Sequence, residues 1–175
     1  MNAFVDRIVR AAKLDASLYE EVEADKSALG QAMAVVVISS VAAGLGMISQ
    51  VGIKGIFVGA VTALIGWYIW AYLTYFIGTK LLPEPQTKAD YGELLRTIGF
   101  ASAPGLIRVF GIIPVLGGIV FFVASVWMLV AMVIAVRQAL DYSGTLRAVG
   151  VCAIGWVIQV VLMGLVLSFM GAFEG

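Results

Sequence analysis

The chain has 175 residues, 62% of them hydrophobic and 13% charged, with a mean hydropathy of +1.03, a balance that describes one membrane domain and excludes a soluble one. Eleven basic and eleven acidic side chains cancel, so no net field draws in nucleic acid or acidic substrates. The lack of histidine and the single cysteine, Cys152, exclude a histidine or multi-cysteine metal site and an intrachain disulfide, and no cofactor is expected.

The amino-terminal segment, residues 1–26, precedes the apolar body at 27–175. Phe4, Val5, Ile8, Val9 and Ala12 alternate at helical spacing with Asp6, Arg7, Arg10 and Lys13, which predicts an amphipathic helix at headgroup level. Ser17 with Glu20 gives a capping-box pattern for a second short turn, and Asp25 or Ser27 can cap the first spanning helix. The segment is too long and too acidic for a cleavable signal, so it is expected to remain attached.

Runs of about 20 apolar residues suffice to cross a bilayer. Uncharged runs cover residues 28–48, 56–79, 115–136 and 148–173. A fifth segment, 94–113, is weaker because it holds Arg96, Thr97, Ser102, Pro104 and Arg108. With five passes, one face takes nine basic residues (Arg7, Arg10, Lys13, Lys26, Lys80, Lys88, Arg96, Arg137, Arg147) against Lys54 and Arg108; with four passes the split is eight to three. Basic residues concentrate on the cytoplasmic side, which favours five passes, a cytoplasmic amino terminus and an external carboxyl terminus. The predicted fold is therefore an all-α polytopic bundle with five transmembrane helices and an amino-terminal amphipathic helix.

Pro83 and Pro85 stop the second span, and Asp90 with Glu93 marks a capped restart. Pro104 frees a carbonyl one turn earlier and predicts a kink in the third span, which either packs or forms a broken-helix site. The apolar corner at 111–118 predicts a tight hairpin at or inside the membrane surface.

Arg108 is the sharpest intramembrane candidate. With Arg96 at the cytoplasmic headgroups, twelve helical residues place it roughly 18 Å deeper, from where its stem can snorkel outward or meet an anionic solute or lipid headgroup. The acidic run Glu20, Glu21, Glu23 and Asp25 calls for basic neighbours, for which Lys88, Arg96, Arg137 and Arg147 are on the expected face; a cation or partner-protein site is the alternative. Gly55, Gly59, Gly99 and Trp127 are read as helix-packing residues, and Gln159 as a cross-helix hydrogen bonder worth about 1 kcal/mol. No nucleophile with its base, no acid–base pair and no phosphate-cradling loop stands in the sequence, which predicts a non-enzyme.

Several stretches together resemble one family. They are the opening Leu18-Tyr19-Glu20-Glu21-Val22-Glu23-Ala24-Asp25, the stretch from Tyr91-Gly92-Glu93 to Ala103-Pro104, the central Trp127, Ala135-Val136-Arg137 and Thr145-Leu146-Arg147-Ala148. In combination they resemble the Yip1 domain proteins, five-span membrane proteins with a cytoplasmic amino-terminal region. Eukaryotic relatives are linked to secretory-pathway membranes and to Rab GTPases, and form complexes with one another. The short form and the opening resemble bacterial members, which implies a cytoplasmic (inner) membrane and no Rab partner. The expected role is to organise membrane or scaffold partner proteins, with the bilayer and self-association or another membrane protein as partners. The alternative is a transporter or channel-like path for a small anionic solute or lipid headgroup beside the third span.

Overall fold

The structure, a computed structural model, describes residues 2–171, with side chains through Val161. The end of the fifth predicted span, through Phe173, and the last residues of the predicted domain lie outside the described residues. Among those described there are seven α-helices and no strand: α1 Ala3–Ala12, α2 Ala16–Ala24, α3 Leu29–Gly46, α4 Ile48–Phe76, α5 Tyr91–Phe100, α6 Gly117–Ala139 and α7 Thr145–Gly171.

The helix starts follow local chemistry. Asn2 caps α1, accepting from the Phe4 amide, and Asp25 accepts from the Ser27 amide at the 3₁₀ turn Lys26–Ala28 that leads into α3. Asp90 and Glu93 form the predicted reciprocal box at α5, with Oδ1 accepting from the Glu93 amide at 2.8 Å and Oε2 from the Asp90 amide at 2.7 Å. At α2 the cap differs from the predicted Ser17–Glu20 box: Asp15 accepts from both the amide and the hydroxyl of Ser17. A carboxylate two residues earlier outcompetes a hydroxyl for the same free amides.

Among the described residues, three helical stretches are long and apolar enough to cross a membrane: Lys26–Gly46, Ile48–Leu81 and Gly117–Ala139. The second outruns its predicted bounds at both ends. It includes a break at Gly52, whose φ of 61° is left-handed and suits glycine, and it continues through a π turn at Ile77–Leu81. The outward faces carry large apolar side chains, with Ile53 81%, Phe57 73% and Phe122 70% exposed, the inverse of a soluble surface.

The third predicted span is not a kinked α-helix. The α-helix α5 ends at Phe100, and the chain continues as a ten-residue 3₁₀ segment, Ala103–Ile112, with Pro104 in its first turn. Proline lacks the amide that would sustain the α ladder and its ring collides with the carbonyl four residues back, so the winding tightens there. The segment runs alongside α3 in the same direction. A β-carbon on Gly99 would lie 2.7 Å from the Ala32 β-carbon, one on Gly105 would strike the Ser39 hydroxyl, one on Gly46 would strike the Arg108 carbonyl, and Gly111 lies against the Gly46 carbonyl. Three residues per turn align Gly105, Arg108 and Gly111 along a single edge, the edge that faces α3. The chain then reverses at 113–115, where Val115 holds a φ of 75° and is 94% exposed, and α6 returns.

A buried core lies where α2, α5 and α6 meet. Leu18, Tyr19 and Val22 of α2, Leu94, Ile98 and Phe100 of α5, and the four-spaced Ala131, Ala135 and Ala139 of α6 are buried there. Phe4 and Ile8 turn the apolar side of α1 onto this same core, while Val5 remains 43% exposed. Trp67 ties α4 to α5, its indole N–H donating to the Leu95 carbonyl at 3.0 Å.

Candidate functional site

The polar end of the bundle gathers α1, α2, the linker after the π turn and the loop between α6 and α7. The predicted neutralisation of the acidic run comes from a different source than expected. Arg7 donates from Nε to Glu21 at 2.9 Å, from Nη2 to Asp25 at 2.8 Å and from Nη1 to the Gln31 side chain at 2.9 Å. Arg10 donates to Asp15 at 2.9 Å and to Glu21 at 2.5 Å. The turn between α1 and α2 folds these arginines back onto α2, a proximity that residue type alone does not encode. The Arg10 contact first, with the Arg7 contact added and burial opposing both, holds Glu21 below its ordinary carboxylate range; Asp25 is lowered by the Ser27 hydroxyl and by Arg7.

The three arginines of the predicted layer have other work. Arg96, 5% exposed, donates to main-chain oxygens at the carboxyl end of α2: Nε to Val22 at 2.9 Å and to Glu23 at 3.1 Å, with Nη2 also on the Glu23 carbonyl. A cation there meets the free carbonyls and the negative end of the helix. Arg147 pairs with Glu84 at 3.3 Å and donates to the Pro83 carbonyl at 2.6 Å. Glu84 also accepts from the Ser143 amide at 3.0 Å and hydroxyl at 2.8 Å, and these bonds hold its carboxyl below the usual value. Arg137 donates to the carbonyls of Tyr142 and Ser143, both at 3.3 Å, and to the Thr145 hydroxyl at 3.4 Å.

What remains is an acidic pocket of about 800 Å³ lined by Glu20, Glu23, Glu93, Asp141, Gln86, Arg137 and Gln138. Among the described residues no ion pair reaches any of its four carboxylates. Glu20 accepts from the Gln138 side chain at 2.6 Å. Glu23 is half-buried, and desolvation, then the charges of Glu93, Asp141 and Glu20, push its carboxyl up to about 7 against the smaller opposing effect of Arg96. Asp141 stands at a φ of 53° just past α6, where the Tyr142 amide reaches the Arg137 carbonyl and the Asp141 amide reaches that of Gln138. This is the helix-ending pattern that usually takes glycine, and aspartate is among the few others that tolerate it.

Of the residues singled out by sequence, the pocket unites Glu20, Glu23 and Arg137. Glu21 turns to the arginines of α1, and Arg96 and Arg147 serve the main chain and Glu84. Glu93 and Asp141 were missed as pocket residues: the first reads as a helix cap and the second as a loop acid, and the only signal was the turn composition Asp141-Tyr142-Ser143-Gly144.

Pro104 and Arg108 lie elsewhere, along α3. Arg108 does not snorkel outward. Its main chain is level with Gly46, but its guanidinium doubles back along α3, with Nε on the Gly105 carbonyl at 3.0 Å and Nη2 on the Ser39 hydroxyl at 2.9 Å and the Ser39 carbonyl at 3.3 Å. Gly99 packs against Ala32, whereas Gly59 has open space where a side chain would stand and Gly55 approaches only Val51 of its own helix. Trp127 is half-buried and Gln159 exposed, the latter on a cleft beside Arg108.

Compared with known families, the Yip1 domain model matches residues 16–171. No curated protein and no solved structure matches.

Proposed function

We propose that this chain, which belongs to the Yip1 domain family, is a non-catalytic multi-pass membrane scaffold that holds a basic segment of a partner protein in the acidic pocket at its polar end. The observation that carries this reading is the pocket itself: four carboxylates around one cavity, with its only lining cation, Arg137, occupied by main-chain carbonyls and a hydroxyl. A Lys- or Arg-bearing segment supplies the charge that the protein leaves out.

Five passes with the amino terminus in the cytoplasm are supported by the course of α5 and the 3₁₀ segment, which together keep level with α3 from Ala32 to Gly46. They are supported too by the basic residues at the pocket end. In this orientation the pocket opens to the cytoplasm of a bacterial inner membrane. The exposed face of α4 around Gly59 offers close helix approach for self-association.

A photo-crosslinking residue at Gln138, on the pocket rim, tests the reading in intact membranes. A discrete adduct that disappears in the combined Glu20→Gln, Glu23→Gln and Glu93→Gln variant, and weakens with salt, is the expected result. No adduct, or one indifferent to these changes, overturns it.

A further inference from the structure

Arg108 presents a charge problem that the described residues do not solve. It stands in a segment that runs beside α3, and its guanidinium lies at the level of Ser39, seven residues and about 10 Å inward from Gly46 along the helix. Its contacts are to neutral oxygens of Gly105 and Ser39, and among the described residues Nη1 meets no acceptor. The acidic residues among those described fall at positions 6–25, 84–93 and 141, all in the polar segments, and none forms an ion pair with Arg108. A guanidinium at this depth is costly unless an anion or water reaches it.

The guanidinium opens onto a cleft of about 690 Å³ between α3, α4 and the 3₁₀ segment, a volume within the usual range of about 300–1,000 Å³ for small-molecule sites. The cleft is mixed in chemistry. Arg108, Ser39, Ser40 and Ser102 give its lining a polar group, and Val36, Trp67 and Met132 an apolar one. A polar cationic head joined to an apolar trough inside a membrane-spanning bundle matches an amphiphile with an anionic head.

We propose that this cleft binds an anionic phospholipid, its phosphate drawn onto Arg108 and the Ser39 hydroxyl and one acyl chain laid along Trp67 and Met132. The bilayer supplies the counter-charge that no carboxylate among the described residues supplies. The site is separate from the acidic pocket, so a negative result here leaves the scaffold reading standing, and loss of the pocket crosslink leaves this one standing.

The test is native mass spectrometry of the purified full chain in mild detergent, with equal amounts of palmitoyl-oleoyl phosphatidylglycerol and the phosphatidylcholine of the same chains. Wild type is expected to retain the anionic lipid about fivefold over the zwitterionic one, the ratio that one basic residue near headgroups gives. Arg108→Ala should bring the two lipids level. Because that variant also removes the bonds to Ser39, Gly66→Leu is the second probe: Gly66 lines the cleft, and a side chain there enters open space without touching Arg108. It should lose the bound lipid while keeping wild-type helicity. Equal retention of both lipids by wild type, or a preference that survives Gly66→Leu, overturns the proposal.

Discussion

Arg96 and Glu23 meet through the main chain: the guanidinium of one closes on the carbonyl of the other, leaving the Glu23 carboxylate to face the pocket. Arg96 thus fastens α2 to α5 and leaves the pocket's charge uncompensated by a direct pair. Arg96→Ala strands buried carbonyls of Val22 and Glu23, and a loss of about 3 kcal/mol is expected, with α2 the first helix to gain hydrogen exchange. Arg96→Lys, with a single ammonium in place of the fork, should recover only part. Thermal unfolding in detergent with exchange mapping checks both; unchanged protection of α2 in Arg96→Ala contradicts the fastening role.

The Glu23 carboxyl, raised to about 7 from 4.5, sets a pH window. Because the folded state disfavours its charge, its contribution is fully present below the unfolded value of 4.5 and is lost as pH rises through about 7. Glu23→Gln should therefore raise the melting temperature at about pH 8 and leave it near wild type at about pH 4.5. Asp141→Asn keeps a residue suited to the positive φ while removing one of the charges that disfavour the Glu23 anion, so it should shift the same transition downward. Melting curves taken every half pH step read both effects, and parallel curves for wild type and Glu23→Gln would count against them.

The arginine clamp of α1 has the opposite slope. Glu21 and Asp25 sit below their ordinary values of 4.5 and 3.8, so the stability they lend is present above those values and disappears as pH falls through the lowered ones. Arg7→Gln should free α1 from α2 and from Gln31, seen as faster exchange of the α1 amides near neutral pH. Salt should narrow the difference from wild type, since Glu21 is an exposed partner. An α1 that exchanges equally in both proteins would show that Arg10, Phe4 and Ile8 dock it without Arg7.

Val115 carries a left-handed φ of 75° on a β-branched residue while 94% exposed, so its side chain repays none of the backbone cost. Val115→Gly should gain about 1 kcal/mol, read as a higher unfolding temperature in the same detergent. A fall in stability would mean that the side chain has a role in lipid that its exposure does not reveal.

Three of the membrane-length stretches and the caps at Asp25 and Asp90 were legible because hydropathy and capping act locally. Pro104 correctly marked where α5 gives way, yet nothing in its sequence context specified a ten-residue 3₁₀ run, since that winding is fixed by contacts with α3. The same limit hid the partners of Glu21: Arg7 and Arg10 are 14 and 11 residues away, and only the fold of the α1–α2 turn decides that they outcompete the arginines of later segments. The direction of the Arg108 side chain was not legible, because the stem follows the nearest free oxygens, which belong to Gly105 and Ser39.

The long 3₁₀ run also acts as a ruler. From Ala32 to Gly46, α3 rises about 21 Å, whereas twelve residues from Gly99 to Gly111 wound wholly as α-helix would rise only about 18 Å. Drawing out the last nine at about 2.0 Å each brings the total to about 22 Å, so two stretches of unequal residue number finish level. Adding or deleting one residue between Ser102 and Ile112 would displace the reversal ahead of α6 and rotate the glycine edge by a third of a turn away from its neighbour.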